Sequence, residues 1–251
     1  MASHRPSKTS MEGFIFNADA VLTTALSPEH DPAREKLKEL TEACKGIAIL
    51  SIKKVGAILT FYYGTGVLIK KKEDGSWSAP SSLSAGGYSM GAVAGAKTDN
   101  VLVFIKDDET LQDFIHKVQT RMGLTSHLAL GSKGGDKAVG IDAKGTESYV
   151  LTSGVFGGFA LELGTMGVEN NQNKVFYKRD VSANGILNKD RVEIDPESQI
   201  PDLHRKLDML QAGTSWTPSE DDIAKSSRHG EMAKQASIRF ATMKAQDIPS
   251  E

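Results

Sequence analysis

The apolar positions of this chain change rhythm along its length. Phe14, Ile15, Ala18, Val21, Leu22 and Ala25 fall on one stripe at helical spacing. A second helix is expected from Asp31, placed as an N-cap, with Pro32 in the first turn, Leu37, Leu40 and Cys44 as its buried stripe and Gly46 as its stop. The spacing then shortens. Ile47–Ile52, Ala57–Tyr63 and Gly66–Ile69 are short apolar runs divided by glycines, the texture of strands, and Glu73-Asp74-Gly75 reads as a hairpin tip. Val101–Ile105 is another strand. Asp107-Asp108 opens an amphipathic helix whose stripe is Leu111, Phe114, Ile115 and Val118.

Strands are expected again at Leu128–Leu130, Ala138–Ile141, Tyr149–Thr152, Phe156–Leu163 and Val175–Tyr177, with turns at Gly134-Gly135, Lys144-Gly145 and Asn170-Asn171. After Val181 the pattern is helical, and Thr217-Pro218-Ser219-Glu220 has the form of a capping box. Ala233, Ala236, Phe240 and Met243 give the last helix a packing stripe. Many glycine-punctuated strands, with helices at the N-terminus, in the middle and at the C-terminus, predict an α+β fold. Its sheet is expected to be antiparallel, glycine-rich, strongly curved and barrel-like. The expected organisation is a flexible N-terminus over 1–11, one domain over 12–210 and a helical extension over 211–251.

Composition narrows the function. A net charge of −2 supplies no global field for nucleic acid or anionic membranes, so any such attraction has to be local. The single cysteine, Cys44, excludes an internal disulfide and a cysteine-rich zinc site and fits a reducing, cytoplasmic setting. No apolar run is long enough for a transmembrane helix. The six histidines are scattered and none stands at metal-ligand spacing from another, so no metal, cofactor or catalytic residue is expected.

The stretch Gly91 to Asn100, GAVAGAKTDN, approaches the phosphate loop G-x-x-x-x-G-K-[ST], with Ala96 where the second glycine belongs. A phosphate loop needs a buried strand before it and a helix after it to aim backbone N–H groups at the anion. Here small polar residues precede and a strand follows. The stretch is instead expected to be a strand in which Gly87, Gly91 and Gly95 share a bare face, allowing a bend or a close backbone approach. No nucleotide is expected.

Basic residues mark the ends of the first apolar hairpin. Lys53-Lys54 and Lys70-Lys71-Lys72 flank it, and Lys178-Arg179 follow the last strand. They are either a solvated rim or a contact for an anionic surface, lipid headgroup or acidic protein.

The order of motifs is more specific than any one of them. Lys45 to Leu50 (KGIAIL), Asp74 to Ser81 (DGSWSAPS), the glycine tract and Gly154 to Gly158 (GVFGG) together resemble the SYLF-domain family of fungal actin-patch proteins and animal phosphoinositide-binding proteins. The resemblance implies a non-enzymatic module for membrane traffic or endocytosis, peripheral to the endosomal or plasma membrane. Its implied partners are phosphoinositide-containing membranes, with F-actin binding or bundling, or a protein scaffold role, as alternatives. The basic candidates are Lys53, Lys54, Lys70, Lys71, Lys72, Lys178, Arg179 and Lys137, the last standing where relatives carry an arginine. The N-terminal helix takes the place of a membrane-contact element, with Phe14, Ile15, Val21 and Leu22 on its apolar stripe. That helix also carries Glu12 and Asp19 and no basic residue, so the stripe is equally suited to packing on the core.

Overall fold

The computed structural model describes residues 6–7, 9–130 and 145–216. Helix α1 (Met11–Ala25) opens the chain, capped by the Ser10 side chain on the Gly13 N–H. After a single turn of 3₁₀ helix at Pro28–His30 comes α2 (Asp31–Ala43). His30, not Asp31, occupies its N-cap. Helix α2 ends at Ala43, and Gly46 opens the next strand instead of stopping the helix.

Two strands of unusual length follow, β1 (Gly46–Lys70) and β2 (Ser81–Ile105), each 25 residues against a typical five or six. The three apolar runs expected between 47 and 69 are therefore one strand. The tip between β1 and β2 carries the expected turn, with Gly75 at φ 83 and its N–H donated to the Lys72 carbonyl. Next come α3 (Asp108–His116), capped by Asp107 on the Thr110 N–H, then β3 (Gln119–Leu130) and β4 (Thr146–Val168). Val118 lies beyond the end of α3 and is exposed, so it is not part of that helix's stripe.

All pairings are antiparallel and the order is β1-β2-β4-β3. The fold is α+β as the pattern predicts, but β1 and β3 stand on the outside of the sheet. No pairing between them closes a barrel among the described residues.

Three helices complete the described chain: α4 (Asn170–Tyr177), α5 (Ala183–Leu187) and α6 (Ile200–Ala212). Val175–Tyr177, expected as a strand, is the last turn of α4. The helix is anchored on the start of β2: Asn173 Oδ1 accepts from the Ser82 N–H at 2.7 Å, and the Tyr177 hydroxyl donates to the Pro80 carbonyl at 2.6 Å. These long-range bonds outweigh the β propensity of a three-residue run. The strand expected at Ala138–Ile141, the turn at Gly134-Gly135 and the helix after Thr217 lie outside the described residues.

Pro6–Trp216 forms one compact unit with a core on each face of the sheet. Ile47, Ile49, Val67, Ile69 and Phe104 pack with α1, α2 and α6 on one side. Ala48, Leu50, Leu68, Val103 and Ile105 pack with α3 and α5 on the other. Burial on both faces explains why β1 begins as a continuous apolar run and not an alternating one.

Strand β1 also doubles back on itself. The Lys71 N–H donates to the Lys45 carbonyl at 2.9 Å, bringing the two ends of the strand together. A Cβ on Gly64 would stand 2.6 Å from Ile52 Cγ1, and one on Gly66 would collide with the Ile49 carbonyl oxygen, so only glycine admits this approach. The fold-over turns at Ile58, where the register slips: Ala57 faces Ala94 but Leu59 faces Met90, leaving Gly91, Ala92 and Val93 opposite one residue. Ile58 sits at φ 56, a conformation that disfavours a β-branched side chain.

Candidate functional site

The glycine tract Gly91 to Asn100 is strand throughout, paired with β4 along its whole length and with β1 from Ala94 onward. Its backbone N–H groups are committed to the sheet and no helix follows, so the geometry of a phosphate loop is not present. Gly87 and its β4 partner Gly164 leave a gap that the Tyr62 side chain fills, its hydroxyl lying where a Cβ on Gly164 would be. At this point of the sheet the missing side chain of Gly164 makes room for one aromatic ring.

Among the described residues no cluster of three His, Cys, Asp or Glu side chains converges to hold a metal. Cys44 is buried, donates to the Thr41 carbonyl at 3.3 Å, and burial pushes its thiol up to about 11, so little thiolate exists at neutral pH. His204 lies against the Ser78 carbonyl at 3.0 Å, and burial holds its imidazole below the usual value.

The lysines do not form one patch. Lys71 is level with Lys45, whereas Lys53 stands eight residues further along the same strand, on the order of 25 Å away at the usual rise per residue. The first group is engaged within the fold. Lys70 Nζ donates to Asn188 Oδ1 at 2.8 Å, and Lys71 Nζ to the Thr41 and Glu42 carbonyls at 3.1 and 2.9 Å, satisfying the end of α2. Lys72 pairs with Asp190 at 2.8 Å. At the far end of β1, Lys54 is 5% exposed, ion-paired with Asp99 at 3.4 Å and placed over the Tyr62 ring at 5.3 Å. It is withdrawn from any external anion, while its neighbour Lys53 is exposed. Lys178 is an exposed left-handed helix cap, and Arg179 donates to the Arg191 carbonyl at 2.7 Å. Lys137 lies outside the described residues.

The stripe of α1 is equally committed. Phe14, Ile15, Val21 and Leu22 are all within 2% of full burial, in the core shared with α2 and α6. Lys206 of α6 fastens the polar side of the helix, donating to Asp19 Oδ2 at 2.6 Å and to Thr23 Oγ1 at 2.8 Å. Burial raises the Asp19 carboxyl above the usual carboxylate range even against this lysine. In this conformation the helix has no apolar face to offer.

Among the described residues the largest group of exposed apolar side chains lies elsewhere, around the fold-over of the β1–β2 ribbon. Val55, Ile58, Leu59, Phe61 and Tyr63 of β1 and Tyr88 and Met90 of β2 are exposed, Phe61 at 65% and Ile58 at 74%. Leu59 faces Met90 and Phe61 faces Tyr88 across the ladder, so the four share one side of the ribbon. The opposite side carries Lys54, Thr60, Tyr62, Ser89 and Asp99, of which Thr60 and Ser89 are fully buried and find no hydrogen-bond partner for their hydroxyls among the described residues. The ribbon end is inverted, with polar groups inside and apolar groups outside. The sequence marked Ala57–Tyr63 as an apolar strand and its alternation separates two faces. Nothing in that alternation says which face is wet.

Comparison with known proteins follows the same outline. The family described as "Ysc84: Las17-binding protein actin regulator" matches residues 86–210. Human SH3 domain-containing YSC84-like protein 1 is 26% identical over 188 residues, covering 74% of this chain and 54% of its own length. LAS seventeen-binding protein 3 of Saccharomyces cerevisiae is 23% identical over 215 residues, 83% of this chain and 46% of the relative. SH3 domain-containing protein PJ696.02 of Schizosaccharomyces pombe is 27% identical over 196 residues, 74% of this chain and 45% of the relative. The chain spans about half the length of the curated relatives it matches. From the glycine tract of β2 through β4 to α6, residues 86–210, this chain belongs to the Ysc84 (SYLF) domain family.

Proposed function

We propose that the chain is a non-enzymatic, peripheral membrane module of the actin-regulatory machinery, binding acidic phosphoinositide lipids on the cytoplasmic side of endosomal or plasma membranes. Membership of a family described as an actin regulator supports the setting. One observation carries the lipid part. In a protein of net charge −2, neither Gly46–Lys70 nor residues 81–98 contains a single acidic residue, and Lys53 stands exposed within this stretch. This local asymmetry suits a surface of anionic headgroups, where each lysine near the surface contributes about 1 kcal/mol. Sedimentation with vesicles of phosphatidylcholine, with and without a phosphoinositide, tests the reading. Binding that requires the anionic lipid and weakens with salt is expected; no binding at low salt removes it.

A second reading keeps the same module and makes the actin filament its direct partner. The description of the family favours it, since it names an actin regulator. Co-sedimentation with filaments in the absence of lipid separates the two readings.

A further inference from the structure

We infer that the folded-over end of the β1–β2 ribbon is a wedge that enters the hydrocarbon of an anionic bilayer. This deepens the membrane reading above and rests on it. The argument starts from solvent. In water a strand buries its apolar face and wets its polar one. Here the distal ribbon does the reverse: Lys54, Asp99, Thr60 and Ser89 are inside, while Leu59, Phe61 and Met90 are outside. An apolar medium on the outside turns this arrangement from a cost into a gain.

The order of side chains along the ribbon fits depth in a leaflet. Ile58 stands at the turn, then the aliphatic pair Leu59 and Met90, then Phe61 and Tyr88, then Tyr63. Five residues of extended chain from Ile58 to Tyr63 span about 17 Å. That is close to half the roughly 30 Å thickness of a hydrocarbon core. With Ile58 deepest, the aliphatics meet acyl chains and the Tyr63 hydroxyl stays at the headgroups, where tyrosine is enriched. Exposed Lys53 and the absence of acidic residues from Gly46–Lys70 and from 81–98 complement an anionic surface. Among the described residues, the buried stripe of α1 leaves this end as the apolar surface that can insert without unfolding the core.

The test uses the full chain with phosphatidylcholine vesicles, alone and with phosphatidylserine or a phosphoinositide. The paired variant Leu59→Ser with Phe61→Ser is expected to lower vesicle affinity by roughly tenfold or more, since two large apolar side chains no longer leave water. Depth is read separately. Trp77 and Trp216 are buried, so a tryptophan introduced as Ile58→Trp should be quenched by lipids brominated on their acyl chains. One introduced as Val175→Trp, on the exposed side of α4, should not be.

If wild-type protein binds anionic vesicles while the paired variant binds equally and Ile58→Trp is not quenched, the wedge is overturned and the membrane reading stands. If wild type binds no vesicle, both fall together. If the paired variant fails to fold, the quenching of Ile58→Trp against Val175→Trp decides alone. Binding to actin filaments without lipid that is lost in the paired variant assigns this face to a protein and overturns the inference.

Discussion

The two halves of one ribbon obey opposite rules. Near its base, Ile47, Ile49, Leu50, Leu68 and Ile69 are fully buried between helical layers on both faces of the sheet. Beyond Ile52 the same two strands leave the helices, expose leucine, phenylalanine and methionine, and bury a lysine, an aspartate and two hydroxyls. The base is a core strand. The far end spends stability to keep a polar interior and an apolar exterior, and a region that costs stability in water points to a role outside the fold.

The sharpest break is the buried ion pair. Asp99→Ala removes the carboxylate 3.4 Å from Lys54, and loss of one partner from a buried pair costs about 3–5 kcal/mol. Urea denaturation of Asp99→Ala against wild type measures it. A loss under about 1 kcal/mol would show that water reaches this interior, as expected for a screened surface pair.

Truncation within each half comes next. Leu68→Ala at the base is expected to cost about 2–5 kcal/mol by leaving a cavity. Phe61→Ser at the far end should change stability by no more than about 0.5 kcal/mol, as for an exposed site. Equal losses in chemical denaturation would mean the far end is packed like the base, and the comparison would fail.

Two substitutions should improve the far end in water. Thr60→Val replaces a buried hydroxyl that lacks a partner by an apolar group of the same shape and should stabilise by about 1 kcal/mol or more. Ile58→Gly relieves a left-handed backbone at an exposed residue and should gain about 1 kcal/mol. A raised denaturation midpoint with unchanged slope is the expected result for each. A lowered midpoint for Thr60→Val would reveal a hydrogen bond to that hydroxyl.

The smallest effect belongs to the base and is a pH dependence. Burial lowers the His204 pKa, so between the folded value and 6.5 the unfolded chain binds more protons than the native one. Stability from this group is fully present above pH 6.5 and declines as pH falls through the folded pKa. His204→Gln should flatten this part of the stability profile while retaining a donor for the Ser78 carbonyl. A profile unchanged by the substitution would assign the dependence elsewhere.

Much of the scaffold was legible because its causes are local. The stripe of α1, Pro32 in the first turn of α2, the Asp107 cap of α3 and the turn at Gly75 each rest on a few neighbouring residues. The strand character of Gly91–Asn100 was legible for the same reason, since neither flank could supply a phosphate loop. The misreadings have non-local causes. Val175–Tyr177 is helical because Asn173 and Tyr177 bond to residues about 90 positions earlier in the chain.

For the candidate site, the lysine pattern expected Lys53-Lys54 and Lys70-Lys71-Lys72 to flank one apolar hairpin. The fold places the first pair near the turn at Ile58 and the second group where the two ends of β1 meet. The pattern could not tell that Lys71 satisfies the end of α2, that Lys54 lies inside the ribbon, or that Lys53 remains outside. Periodicity alone determined that residues 59–63 have two unlike faces, because side chains on a strand alternate. Which face meets water was decided by the close glycine approaches of β1 and by the register slip at Ile58, which fold the ribbon so that its polar side closes on itself. That decision is tertiary because burial is a property of what lies opposite a side chain in space, and sequence spacing carries no record of it.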